Sequence, residues 1–102
     1  MTVSGWKSGR FNTRKSVVLG VRIGKDNVTR FFDRRWSVVV LEMDNDRVPV
    51  KIGKTFWTTC PELRSPVIGA WLKKRGLAPW PTGKPPEMCL TPAGGNRFRL
   101  EA

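Results

Sequence analysis

The stretch Trp36-Ser37-Val38-Val39-Val40-Leu41-Glu42-Met43 limits the fold of this chain more than any other. It has no helical period, and its β-branched run favours a pleated strand. Both alternating sets of positions are largely apolar, so the strand needs cover on both faces and must be central or enclosed. Asp44-Asn45-Asp46 has turn chemistry, because short polar side chains bond the local backbone. Arg47 to Ile52 then alternates, with Val48, Val50 and Ile52 facing inward. Pro49 removes one ladder donor, which makes this an edge or bulged strand.

Further along, Ser65 suits a helix N-cap and Pro66 the first helical position. Val67, Ile68, Trp71 and Leu72 share one face at helical spacing, and Gly76 ends the element, so a helix over 66–75 is expected with Trp71 buried. Pro79, Pro81, Pro85 and Pro86 make a rigid crossing. Met88–Thr91 and Asn96–Leu100 pair around Pro92-Ala93-Gly94-Gly95 as a final hairpin. Before the central strand, Val17, Leu19, Val21 and Ile23 alternate, Gly24-Lys25-Asp26-Asn27 turns, and Val28–Phe32 is again β-rich. A hairpin over Ser16–Phe32 is the first reading, and a helix over Asp26–Arg35 capped by Asp26 competes with it. Residues 1–15 show no period and read as a flexible basic arm, with 16–102 as a single globular domain. The class is α+β, mostly β. A flat sheet of about six short strands would leave both faces bare. The economical closure is a small rolled sheet or partly open β-barrel with one helix plugging an end.

The sequence also narrows the chemistry. The chain has no histidine, which removes imidazole acid–base work and every histidine-containing metal site. No apolar run reaches the roughly 20 residues that cross a bilayer, and residues 1–10 lack a signal-peptide core. The expectation is a cytoplasmic chain without a membrane partner. Cys60 and Cys89 belong to no Cys-x-x-Cys pair and read as small buried hydrophobes. Gly53-Lys54-Thr55 resembles the end of a phosphate loop, but Val48 stands where the first glycine belongs, so a strand ending in a turn is the better reading. Glu42, Asp44 and Asp46 offer a hard-cation set, although a tight turn explains them better. No catalytic residue, cofactor or metal is expected.

Charge is the strongest functional signal. Nineteen Lys and Arg face eight Asp and Glu, a formal charge of +11. Residues 1–35 carry nine basic side chains against two acidic ones, 36–50 one against three, and 51–102 nine against three. Such an excess favours polyanions in affinity and on-rate. Arg97 and Arg99 alternate with Phe98 and Leu100, so both leave one face of a strand beside a glycine tip. A ribbon of this kind can track a phosphate backbone or enter a groove. Arg14 and Lys15 open the first strand. Lys73, Lys74 and Arg75 come second, because the helix dipole alone accounts for cations there. Arg30, Arg34 and Arg35 form a reserve cluster. The expected function is non-enzymatic nucleic-acid binding, DNA ahead of RNA, through Arg14, Lys15, Arg97 and Arg99, and a homodimer is compatible with the size. Two other classes compete: a small adaptor or assembly subunit for an acidic protein surface, and a metal-dependent nuclease built on the acidic turn. Trp6, in the basic arm, is the aromatic residue that core packing explains least.

Overall fold

The computed structural model describes residues 1–9 and 17–102. The elements run β1 (Thr2–Lys7), β2 (Leu19–Arg22), α1 (Lys25–Phe31), β3 (Val38–Met43) and β4 (Asp46–Lys51), then α2 (Lys54–Thr58), β5 (Glu62–Arg64), α3 (Pro66–Lys74), β6 (Glu87–Pro92) and β7 (Arg97–Glu101). All seven strands join one sheet, ordered β4-β3-β7-β6-β1-β2-β5. Neighbours are antiparallel except β3 and β7, which are parallel. The two edge strands, β4 and β5, approach within 8 Å between α carbons. The sheet is therefore a nearly closed barrel, the small α+β roll that enclosed apolar strands demand.

Val39, Leu41 and Met43 of β3 point into the barrel with Val48 and Val50 of β4, Leu63 of β5, Leu90 of β6, and Phe98 and Leu100 of β7. Burying these side chains is the main source of stability. Pro49 sits opposite Val40 on the outermost strand, as its missing donor requires. Inside the hairpin of β6 and β7, Leu90 pairs with Leu100.

Helices close the two ends. At one end, α3 starts at Ser65, whose hydroxyl accepts from the Val67 N–H at 3.2 Å. It buries Ile68, Trp71 and Leu72, and Gly69 lies against Leu19 of β2. Gly76 adopts φ 71°, with Gly76 N–H donating to Lys73 and Leu77 N–H to the Leu72 carbonyl, the paired bonds of a glycine-terminated helix. The expected helix and its buried Trp71 are thus both present. At the other end, α1 and α2 contribute Val28 and Phe56 to the core. Phe32, just after α1, stacks on Phe98 at 4.6 Å between centroids and meets Phe56 at 5.4 Å.

Three expectations are corrected, and one strand is added. Thr2–Lys7 is no loose arm but a strand held between β6 and β2. Its period is hidden because the inward position after Val3 is Gly5. A Cβ there would meet Trp80 and Pro86 at 3.0 Å, so the proline crossing packs directly on the bare backbone. The remainder of the proposed arm, residues 10–15, lies outside the described residues. Ser16–Phe32 is not a hairpin, because its second half is α1 (the competing helix). Gly24 at φ 86° breaks the extended run and caps α1 without a side-chain bond, so Asp26 is not the cap. The Asn27 amide anchors the first turn by donating to the Ile23 and Thr2 carbonyls at 3.0 and 3.1 Å. Val28 and Phe32, one helical turn apart, then face the core together. Cys89 is exposed on the outer face of β6 and Cys60 half-buried, so neither is a buried hydrophobe. Finally, Glu62–Arg64 forms a strand, too short for its alternation to register in the sequence.

Candidate functional site

Among the described residues four groups of cations reach the surface, and they differ in what neutralises them. On the outer wall of β4, β3 and β7, Arg97 and Arg99 leave the same face while Phe98 and Leu100 are buried between and beyond them. Across the sheet Glu42 stands opposite both Arg47 and Arg99. Its carboxylate also lies 3.9 Å from the Arg97 guanidinium. Arg99 additionally approaches Glu101 at 3.5 Å. The glycine tip is occupied by its own strand: Arg97 Nε donates to the Gly94 carbonyl at 3.4 Å. On this wall Arg97 and Arg99 each have a carboxylate within 4 Å, while Arg47 forms no ion pair among the described residues.

At the α3 end, Arg75 is ion-paired with Asp44 and lies 5.4 Å from the Trp71 ring centroid. The Asp44 carboxyl is held below its ordinary value mainly by the Arg75 hydrogen bond, with the Trp71 indole and Lys74 assisting. The indole is close enough to act electrostatically, although its buried Nε1 makes no bond of hydrogen-bond geometry. Lys73 and Lys74 are exposed in the last turn. Asp44 of the acidic turn therefore ties the end of β3 to the end of α3. Among the described residues no three His, Cys, Asp or Glu side chains gather as a cation site.

The third group lies on the wall of β1, β2 and β5. Trp6, Gly20 and Arg64 stand in line across three paired strands. A Cβ on Gly20 would come within 2.3 Å of the Leu63 carbonyl, so only glycine fits. The bare position leaves room for Arg64 to cross onto Trp6, where its guanidinium sits 4.7 Å from the ring centroid. Arg22 is exposed on the same face.

The fourth is a cleft between α1 and α2 with a volume of about 220 Å³, lined by Lys25, Thr29, Arg34, Trp57, Thr58 and apolar neighbours. Lys25 and Thr29 are one turn apart on α1. Trp57 stands edge-on to the buried Phe56 at 5.0 Å, which fixes its ring at the cleft wall. Arg34 reaches to 5.8 Å from the Trp57 centroid. The adjacent carboxylate, Asp33, is fully engaged by Arg35 through Nε, Nη2 and the backbone N–H at 2.6–3.1 Å. That grip lowers the Asp33 pKa to about 2. Asp33 thus serves Arg35 and leaves Arg34 unneutralised. Among the described residues neither Lys25 nor Arg34 forms an ion pair. An adjoining groove runs from this cleft past Phe56 to Lys51, Cys60, Glu62 and Arg64.

With that geometry in place, comparison with known proteins gives no match to a family model, a curated protein or a solved structure.

The structure gathers Arg97 and Arg99, as expected, and sets Lys73, Lys74 and Arg75 apart from them on the helix that caps one end. Arg14 and Lys15 fall outside the described residues. Lys25, Trp57 and the Trp6–Arg64 pair were not singled out as a site by the sequence. Arg34 was signalled only as part of a basic run. Nothing in the sequence set Trp57 apart from a core aromatic, and Lys25 and Thr29, which share its cleft, come from a different helix.

Proposed function

We propose that this chain is a non-enzymatic nucleic-acid-binding protein. The observation that carries the reading is the unopposed charge at the α1–α2 end and along the groove to β5. Lys25, Arg34, Lys51 and Arg64 supply four cations there, and among the described residues Glu62 is the one acidic residue lining either hollow. Each such cation displaces a counterion when it meets a phosphate. The hairpin arginines Arg97 and Arg99 are a lesser contact set, because Glu42 and Glu101 already hold them. The preference for duplex DNA rests on that hairpin alone. The aromatic faces at Trp57 and Trp6 suit exposed bases better than a closed duplex. Lys73 and Lys74 extend the basic surface around the α3 end.

Fluorescence anisotropy with labelled 20-mers of duplex DNA, single-stranded DNA and RNA, over 50–300 mM salt, tests the proposal. Log affinity should fall linearly with log salt, by about 0.9 per phosphate contact on a duplex and about 0.7 on a single strand. Absence of binding to all three at 50 mM would overturn it and leave the acidic-protein adaptor as the reading to pursue.

A further inference from the structure

Resting on the nucleic-acid reading, we infer that the α1–α2 cleft is a base pocket for a single strand: one unpaired base lies against Trp57, and its phosphates meet Lys25 and Arg34. Three observations converge. First, the volume of about 220 Å³ is below the roughly 300–1,000 Å³ of pockets for drug-sized ligands, so it suits one flat ring system. Second, the walls divide by chemistry. Trp57 and Phe56 give an aromatic side, Thr29 and Thr58 give hydroxyls, and Lys25 and Arg34 give positive charge. Both hydroxyls already donate to backbone carbonyls, Thr29 to Lys25 and Thr58 to Lys54, so they offer acceptor lone pairs to a base. Third, the Trp57 ring packs edge-on against the buried Phe56 at 5.0 Å, so the stacking surface is in place before a base arrives. A base inside a duplex is stacked and paired and cannot reach a tryptophan set between two helices. A strand with free bases can.

The test uses the full chain with 12-mers of oligo(dT) and oligo(U), a 12-base-pair duplex, and free dTMP. Trp57→Ala should weaken one or both single strands about 5- to 100-fold, leave the duplex affinity unchanged and keep the salt slope. Trp57→Phe should recover most of the loss, and circular dichroism melting of both variants checks the fold. Equal loss for duplex and single strands, or no loss, would overturn the pocket while leaving nucleic-acid binding intact. Free dTMP bound as tightly as the 12-mers would make this a mononucleotide site and overturn the strand reading. A wild-type chain that binds no nucleic acid at all would overturn both readings.

Discussion

The wall of β7 and the cleft between α1 and α2 both present arginines, and they use them differently. On β7, Arg97 and Arg99 leave the strand as its alternation requires, but the sheet sets Glu42 among Arg47, Arg97 and Arg99. In the cleft, Arg34 follows a carboxylate in sequence and yet is not bound by it, because Asp33 closes onto Arg35. Alternation tells which way a side chain points. Whether a counter-charge awaits it is decided by the neighbouring strand or turn, and that pairing is non-local on β7 and only two residues away at Asp33.

The largest expected effect separates the two faces of β7. Phe98→Ala should cost about 3–5 kcal/mol in denaturant unfolding, since Phe98 is buried and stacked on Phe32. Arg97→Ala and Arg99→Ala should each change stability by no more than about 1 kcal/mol, as exposed ion pairs do. A comparable loss for the arginines would mean that the wall holds the barrel together.

A second substitution probes the other wall. Gly20→Ala should cost about 1–3 kcal/mol, because its Cβ would collide with the Leu63 carbonyl and part β2 from β5. Thermal melting that is unchanged would show that β5 can shift freely.

Glu42→Gln sharpens the contrast directly. Removing the carboxylate frees Arg97, the arginine it pairs with, so the salt slope of nucleic-acid binding should steepen by about one unit where Arg97 gains a phosphate. An unchanged slope would mean that the wall is out of reach of the ligand whatever its charge.

The smallest effect concerns acid. The Asp33 pKa is lowered to about 2 from an ordinary 3.8, and the Asp44 pKa is lowered as well. A depressed carboxyl stabilises the fold above its ordinary pKa and loses that contribution as pH falls through the folded value. Melting temperature should therefore decline slightly from about pH 5 to pH 2, less in Asp33→Asn, and less at high salt because both pairs are exposed. Identical profiles for wild type and variant would show that the Arg35 grip adds nothing to stability.

Much of the barrel was legible because its signals are local. The apolar β3, the alternating β4 with its edge proline, the capped α3 and the β6–β7 hairpin each carry their own period or punctuation. What escaped depends on contacts between distant segments. Gly5 hides the period of β1 because Trp80 and Pro86, some 80 residues away, fill the space over it. Residues 28–32 have strand-like composition, yet Gly24 and the Asn27 amide turn 28–31 into a helix that ends before Phe32. The candidate site escaped for the same reason. Lys25, Arg34 and Trp57 carry no common motif and meet only because α1 and α2 close one end of the same barrel.

Two double variants, measured in one anisotropy salt series with a single-stranded 20-mer, decide between the surfaces. Lys25→Ala/Arg34→Ala should reduce the salt slope by about 1.4, two contacts at about 0.7 each, while Arg97→Ala/Arg99→Ala should leave it nearly unchanged. The reverse pattern, a slope lost with the hairpin arginines and kept without Lys25 and Arg34, would contradict the account and return the interface to β7.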